Sequence, residues 1–315
     1  ILALVWGIFF ATPLVVGAQL SLPQTAEISI SPRYPEAGET VRAELSAYTY
    51  DTTGASVIWS VDGVEVTEAR DQRAINVTVG ELGSTTAIEV MVTLRNGQVI
   101  VARQEVLVGQ VDIIIDADTL VPEFYKGRPL PSNGSNVQVV AIPNFGDGKN
   151  VGDYSYSWRV NNKTLYGGST KGRYIARFTV PMGKNIVVGV DVSDSTGVVI
   201  SSKNVAIPIQ KPEVIFYPDN PLRGLSFTST GALYRLLGEE VTVRAEPYYM
   251  DADILDKEVL LEWSIDGSRI DNPNLDQQTI VLQNGGGSGI FNIEFHIRNL
   301  QELLQGTRGQ FRMQF

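Results

Sequence analysis

The chain has 315 residues and a net charge of −10, with 25 lysines and arginines against 35 aspartates and glutamates. A surface of that sign repels phosphate backbones and anionic lipid headgroups, so we expect neither nucleic acid nor a peripheral membrane surface as a partner. The sequence has one histidine, His296, and no cysteine. The absence of cysteine excludes disulfides, thiolate metal sites and thiol nucleophiles.

The first 18 residues have the features of a signal peptide. Residues 1–16 are apolar and uncharged, and Val16-Gly17-Ala18 places small or medium side chains where signal peptidase reads them. The basic region that normally opens a signal peptide is missing, so we expect the natural chain to begin further upstream. An uncleaved anchor is the alternative, since about 18 apolar residues just span a bilayer, but Pro13 favours cleavage. Both interpretations predict an extracellular or cell-envelope location, with membrane contact only through this segment if it is uncleaved.

Three tryptophans mark three copies of one unit. Trp59, Trp158 and Trp263 lie 99 and 105 residues apart, about the length of one β-sandwich domain. Each tryptophan lies in a run whose apolar residues alternate with period two, which is typical of a strand with one buried face. Each run ends at a dipeptide that tolerates the positive φ of a two-residue hairpin turn. These dipeptides are Asp62-Gly63, Asn161-Asn162 and Asp266-Gly267.

Two further alternating strands flank each tryptophan strand. The preceding strands begin near Val41, Val137 and Val241, and the following strands near Ile88, Ile186 and Phe291. This order resembles the immunoglobulin fold, in which two inward-alternating strands flank a core tryptophan strand. The resemblance implies an all-β chain of three tandem immunoglobulin-like β-sandwich domains after the signal segment. No cysteine pair flanks the tryptophans, so we expect Trp59, Trp158 and Trp263 to hold their cores by packing alone.

Proline-rich extended stretches place the domain boundaries. We expect a signal peptide at 1–18 and immunoglobulin-like domains at 24–109, 110–211 and 212–315. The joints between the domains are short and contain no Gly/Ser tether, which favours a semi-rigid rod over flexibly linked domains.

Domain three carries two extra segments. Residues 222–237 form an insertion before the strand at Val241. In domains one and two, a tight turn follows the third alternating strand. In domain three, Leu300, Leu303 and Leu304 lie at helical spacing before a glycine at this place, which predicts a short helix. These leucines are a candidate partner contact, and capping of their own sandwich is the alternative.

Four carboxylates near the joints are candidate Ca²⁺ ligands. They are Asp112, Asp116, Asp118 and Asp219. A Ca²⁺ site needs six to eight oxygen ligands, and only two or three acidic groups lie near each joint, so solvated carboxylates are the alternative. We expect no other cofactor.

Tyrosines that lie beyond the ends of their strands are candidate exposed contacts for a protein or a glycan. They are Tyr48, Tyr50, Tyr248 and Tyr249. His296 alternates with apolar neighbours, which predicts a solvated position on the outer face of its strand. No pattern brings a nucleophile and a base together, so we predict that the protein is not an enzyme.

Three segments of domains two and three, Phe124–Pro131, Ala245–Tyr249 and Gly306–Phe315, resemble exported repeat proteins with immunoglobulin-like or PKD-like domains from candidate-phyla bacteria. The resemblance implies a bacterial envelope protein and carries no site residues. We therefore predict a non-enzymatic structural spacer or adhesive binding module whose partner is a protein or glycan at the cell surface. The alternatives are a subunit of an envelope assembly, such as a pilus or secretion system, and a carbohydrate-binding or carbohydrate-active protein.

Overall fold

A computed structural model describes residues 25–47, 53–256, 258–302 and 304–315. The predicted signal segment, 1–18, lies outside the described residues. The described residues form an all-β chain whose helical elements are three short 3₁₀ turns at Thr67–Ala69, Val151–Asp153 and Ala252–Asp256. Within the described ranges, no helix has the length and apolar character needed to cross a membrane.

The first sandwich pairs a sheet of three strands with a sheet of four. Its strands are β1 (Ala26–Ser31), β2 (Thr40–Ala47), β3 (Ser56–Val61), β4 (Val64–Glu65), β5 (Ala74–Thr78), β6 (Thr85–Thr93) and β7 (Val99–Leu107). The sheets have the orders β1-β2-β5 and β4-β3-β6-β7, and neighbouring strands are antiparallel.

The second sandwich repeats this arrangement. Its strands are β8 (Gln110–Asp118), β9 (Asn136–Asn144), β10 (Ser155–Val160), β11 (Lys163–Thr164), β12 (Thr170–Lys171), β13 (Ile175–Thr179), β14 (Asn185–Ser193) and β15 (Val199–Pro208). One sheet has the order β13-β9-β8, and the other has the order β11-β10-β14-β15 with β12 paired to β10.

The third sandwich has the same plan with two added strands. Its strands are β16 (Glu213–Asn220), β17 (Gly224–Leu225), β18 (Leu233–Arg235), β19 (Glu240–Tyr248), β20 (Val259–Ile265), β21 (Ser268–Ile270), β22 (Thr279–Gln283), β23 (Ile290–Asn299) and β24 (Gly306–Gln314). The sheets have the orders β17-β16-β19-β22 and β18-β24-β23-β20-β21. The predicted insertion supplies β17 and β18, and β18 runs parallel to β24.

The three tryptophans lie at equivalent places in the three cores. Trp59, Trp158 and Trp263 are fully buried, and each indole Nε1 donates to a backbone carbonyl two residues before a strand of the opposite sheet. The acceptors are Gln72, Arg173 and Gln277, at 2.9, 2.8 and 2.9 Å, before β5, β13 and β22. A buried indole N–H needs such a partner, so each tryptophan links its two sheets by packing and by one hydrogen bond.

The hairpin turns after the tryptophan strands are also equivalent. Both residues of each predicted dipeptide have positive φ, from 47° to 81°, as a two-residue hairpin turn requires. The side-chain oxygen of the first turn residue accepts a hydrogen bond from a backbone N–H near the start of the next long strand. The pairs are Asp62 with Ala87, Asn161 with Val187 and Asp266 with Asn292, at 2.8, 2.9 and 2.8 Å. The Asp or Asn at this position is therefore explained by the turn.

The strand order confirms the predicted fold class of tandem immunoglobulin-like sandwiches. The chain divides into two compact units, the first ending at Leu107 and the second running from Val108 to Phe315. The first sandwich makes up the first unit, and the second and third sandwiches belong together in the second unit.

The predicted helix between β23 and β24 is wrong. The described residues of this loop form turns, and β24 begins at Gly306. The side chain of Asn299 accepts hydrogen bonds from the backbone N–H groups of Gln301 and Glu302, at 2.8 and 3.2 Å. This bonding favours a turn over a helix.

Candidate functional site

Within the second unit, three segments form the joint between the second and third sandwiches. They are the loop 119–135 between β8 and β9, the segment 249–256 after β19, and the described residues 300–302, 304 and 305 of the loop between β23 and β24. The loop 119–135 is much longer than its equivalent in the first sandwich, residues 32–39. This extra length lets the second sandwich reach into the third.

Main-chain hydrogen bonds cross the joint. The backbone N–H of Leu120 donates to the carbonyl of Met250 at 2.7 Å, and the N–H of Tyr249 donates to the carbonyl of Leu120 at 2.8 Å. Thr119 and Asp251 form an antiparallel bridge beside them. The Leu120 side chain packs against the core of the third sandwich. The start of the loop therefore acts as a short strand added to the neighbouring domain.

Asp251 and Gln305 form a buried polar network at the centre of the joint. Asp251 Oδ2 accepts hydrogen bonds from the backbone N and the Nδ2 of Asn136, both at 3.1 Å. The backbone N–H of Asp251 donates to Gln305 Oε1 at 2.8 Å. Gln305 has 0% exposure, and its Nε2 donates to the carbonyl of Asn133 at 2.7 Å and to Ser132 Oγ at 3.2 Å. A buried network whose members are bonded in this way fixes the geometry of the surfaces that it joins.

A cluster of tyrosines and one phenylalanine lies beside this network. The hydroxyl oxygens of Tyr125 and Tyr249 are 3.0 Å apart, and those of Tyr217 and Tyr248 are 2.7 Å apart. The Tyr125 ring meets Tyr248 edge-on at 5.5 Å, and Phe124 meets Tyr217 edge-on at 5.1 Å. Such edge-on pairs stabilise a contact by about 0.5–1.5 kcal/mol beyond their buried area. Two aromatic residues of the loop 119–135 are thus packed against three tyrosines of the third sandwich.

Two tyrosines of this cluster, Tyr248 and Tyr249, act as neutral hydrogen-bonding groups. The hydrogen bond with Tyr125 raises the pKa of Tyr249 to about 12. Burial, followed by the hydrogen bond with Tyr217, raises the pKa of Tyr248. Both hydroxyls therefore stay protonated near neutral pH.

Tyr249 has a strained backbone, with φ of 60°. A left-handed conformation in a residue other than glycine costs about 1–3 kcal/mol and persists only where the surroundings impose it. Here the backbone bond to Leu120 and the hydroxyl bond to Tyr125 hold Tyr249 in place.

The predicted partner contacts that the structure describes, Leu300, Leu304, Tyr248 and Tyr249, lie in or directly beside the segments of this joint. Tyr248 is buried and Tyr249 is half-buried, so their predicted exposure is wrong, because the second sandwich covers them. Leu300 and Leu304 are each 42% exposed. A Cβ added to Gly134 would lie 3.3 Å from the Cβ of Leu304, so Leu304 already lies close to the second sandwich. Leu303, together with Tyr48 and Tyr50, lies outside the described residues.

The four candidate Ca²⁺ ligands are not gathered into one site. Asp112, Asp116 and Asp118 alternate along the exposed face of β8, whereas Asp219 lies on β16. No cluster of three or more potential metal-binding side chains occurs in the part of the chain that the structure describes. Burial and then the carboxylate of Asp251 raise the pKa of Asp118. The joint between the second and third sandwiches therefore brings carboxylates of both domains close together.

His296 lies on the outer face of β23, but neighbouring side chains half-bury it. Its Nδ1 is 3.7 Å from Glu262 Oε2. Burial and then the positive charge of Arg308 lower the pKa of His296, so the imidazole is neutral at pH 7. We therefore assign His296 a structural role on the charged outer face of this sheet.

Sequence reasoning missed the central residues of the joint. Tyr125, Asp251 and Gln305 have ordinary polar side chains, and nothing near them in the sequence identifies their partners. The available signal was the long, proline-rich segment between β8 and β9, because a loop of that length needs a surface on which to pack.

No protein-family model matches the chain, and no curated protein matches it. Among solved structures, it is similar to the fibronectin(III)-like modules of Clostridium thermocellum CbhA, with 16% identity over 58% of this chain and 94% of that chain and a TM-score of 0.27. The central fibronectin-III array of RIM-binding protein matches with 11% identity over 93% and 97% of the two chains and a TM-score of 0.29. SGBP-B from a Bacteroides ovatus mixed-linkage glucan utilization locus, solved with a heptasaccharide, matches with 13% identity over 93% and 70% and a TM-score of 0.22. These low scores carry no argument about function, and the assignment of a tandem immunoglobulin-like protein rests on the chain's own strand order.

Proposed function

We propose that this chain is a non-enzymatic structural and binding protein of the bacterial cell exterior, in which the joint holds the second and third sandwiches as one rigid body. The domains correspond to residues 24–109, 110–211 and 212–315. The apolar, uncharged segment at 1–16 and the absence of cysteine are consistent with an exported protein that folds by packing alone.

The observation that carries this proposal is the set of contacts across the joint. Few contacts cross between the two domains at a flexible joint. Here a main-chain bridge, the buried network of Asp251 and Gln305, and the aromatic cluster all cross between the two sandwiches. A joint of this kind maintains a fixed spacing and brings surfaces from two domains together into one binding face.

The rigidity can be measured directly because the chain has no native cysteine. Two spin labels are attached at V187C in the second sandwich and V281C in the third, both exposed strand positions. The reference pair is V187C with I114C, which lie within the second sandwich. We expect the two pairs to give distance distributions of similar width. A distribution for the V187C/V281C pair several times broader than the reference would contradict a rigid body.

A second candidate function is that of a subunit in an envelope assembly. It is favoured by the exposed apolar residues of the insertion, where Leu222 is 96% exposed and Phe227 and Leu237 are also exposed. Apolar side chains clustered in one exposed segment are typical of contact surfaces. Cross-linking of intact producing cells, followed by capture of the chain and mass spectrometry, tests this candidate. A fixed set of envelope proteins linked through the insertion supports it, and recovery of the chain alone contradicts it.

A further inference from the structure

A groove beside the joint has the size and lining of a binding site. It has a volume of about 660 Å³, within the range of about 300–1,000 Å³ that is usual for ligand pockets. Glu123 and Phe124 line it from the second sandwich, and Asp219, Phe227, Arg244 and Glu246 line it from the third. We call it the joint groove. It exists only because the two sandwiches are held together.

Phe227 gives the groove an exposed aromatic surface. Its side chain is 77% exposed, although its ring centroid is 5.2 Å from that of Phe124. Phe124 is in turn fixed by its edge-on contact with the buried Tyr217. A large apolar side chain that stays exposed in a groove beside other aromatic rings indicates a binding surface. The ring of Phe227 is thus available to a ligand although it contacts the ring of Phe124.

The groove also carries unbalanced negative charge. Arg244 is bonded to Glu246 at 2.5 Å and to Asp276 at 2.6 Å, so carboxylates of this protein already neutralise its charge. In the described part of the chain, neither Glu123 nor Asp219 has an ion pair or a side-chain hydrogen bond. Two carboxylates without a cationic partner therefore line the same groove as the exposed ring.

We propose that the joint groove binds a lysine or arginine side chain of a protein partner. A cation is attracted both to the face of an aromatic ring and to carboxylates, and Phe227, Glu123 and Asp219 offer both in one groove. The net charge of −10 draws basic partners and repels anionic ones. A neutral sugar would stack on the ring but would leave the carboxylates without a counter-charge. This inference rests on the proposed binding role of the second unit and adds the chemistry of its partner.

The probe is the peptide amide acetyl-Gly-Arg-Gly-Arg-Gly, titrated into the full chain at low salt and followed by NMR. We expect F227A to weaken binding roughly 3- to 10-fold, since a partly exposed cation–π contact has about that effect. We expect D219N to weaken binding by a similar factor, since it removes a charge-assisted hydrogen bond to the cation. Two matched controls remove similar groups elsewhere: L222A removes an exposed apolar side chain, and D112N removes an exposed carboxylate from β8. We expect both controls to bind within about twofold of the natural chain, since neither group contacts the bound cation.

Three outcomes would overturn the proposal. Equal weakening by D219N and D112N, with no effect of F227A, would show attraction by net charge alone. Binding of a neutral glucose hexasaccharide that depends on Phe227, without peptide binding, would identify a glycan site instead. The spin-label widths are measured on the same protein, so a narrow V187C/V281C distribution without peptide binding overturns this inference and leaves the rigid body in place.

Discussion

Tyr125 and Tyr249 are 124 residues apart in the sequence, and their hydroxyl oxygens lie 3.0 Å apart across the joint of the second and third sandwiches. The bond matters because Tyr249 is held with a φ of 60°, a conformation that its surroundings must stabilise. The bond couples the loop 119–135 to a strained position in the neighbouring domain. Changes at either tyrosine should therefore affect the joint before they affect either core.

We predict that Y125F and Y249F each lower the free energy of unfolding of the second unit by about 1 kcal/mol, the usual contribution of one hydrogen bond. The double variant should lose little more than either single variant, because both changes remove the same bond. Denaturant unfolding measures the three values. Y234F is the control, since the Tyr234 hydroxyl has no hydrogen bond among the described residues, and it should leave stability unchanged. Fully additive losses would show that the two hydroxyls act independently.

Replacing Gln305 should destabilise the second unit more than replacing an exposed residue of the same loop. Replacing it by alanine removes the acceptor of the Asp251 N–H and the donor to the carbonyl of Asn133. Each buried group left without a partner costs about 1–3 kcal/mol, so Q305A should destabilise the second unit and broaden the V187C/V281C spin-label distribution. Q301A alters an exposed glutamine in the same loop and should change neither. If Q305A left both stability and width unchanged, the buried network would have no role in the joint.

Asp118 should make the joint less stable as pH rises. Its pKa is raised from the ordinary value of 3.8 by burial and then by Asp251, so the folded chain holds this proton more tightly than the unfolded chain does. Stability is therefore greatest where Asp118 is protonated and declines as pH rises from about 3.8 through the folded pKa. D118N, which is always neutral, should raise the melting temperature at pH 7 and have little effect at about pH 3.

The control for Asp118 is D112N, which removes the same charge from the same face of β8 at a greater distance from Asp251. Melting temperatures of both variants, measured from about pH 3 to pH 7, test this prediction. A rise in melting temperature at pH 7 of the same size for D112N would mean that net charge, and not the carboxylates at the joint, sets the effect.

The sandwich folds could be predicted because their signals are local. Period-two alternation around Trp59, Trp158 and Trp263 marks one buried face of each strand, and the Asp or Asn after each strand specifies the turn. These features depend on residues a few positions apart. The tryptophan strands and their hairpins therefore appear in the structure where the pattern places them.

The joint could not be predicted in the same way, because its contacts join distant residues. Asp251 bonds to Asn136 across 115 positions, and Gln305 bonds to Ser132 across 173. A single sequence offers no period or spacing that relates such pairs. The error over Tyr248 has the same origin. Its position at the end of β19 indicated exposure, and only the packing of another domain buries it.

The last prediction tests whether the joint couples the two sandwiches energetically. W158A removes a fully buried indole from the second sandwich, which should cost about 3–5 kcal/mol, a large share of the stability of a small domain. W158F keeps an aromatic ring but loses the bond to the Arg173 carbonyl and part of the buried volume of the indole, so its loss of stability should be smaller than that of W158A. Hydrogen exchange read peptide by peptide reports each sandwich separately. Because the joint links the second and third cores, W158A should raise exchange throughout 108–315 and leave 25–47 and 53–107 unchanged. If protection were lost only in 110–211, the third sandwich would be stable without its neighbour, and the joint would fix position without sharing stability.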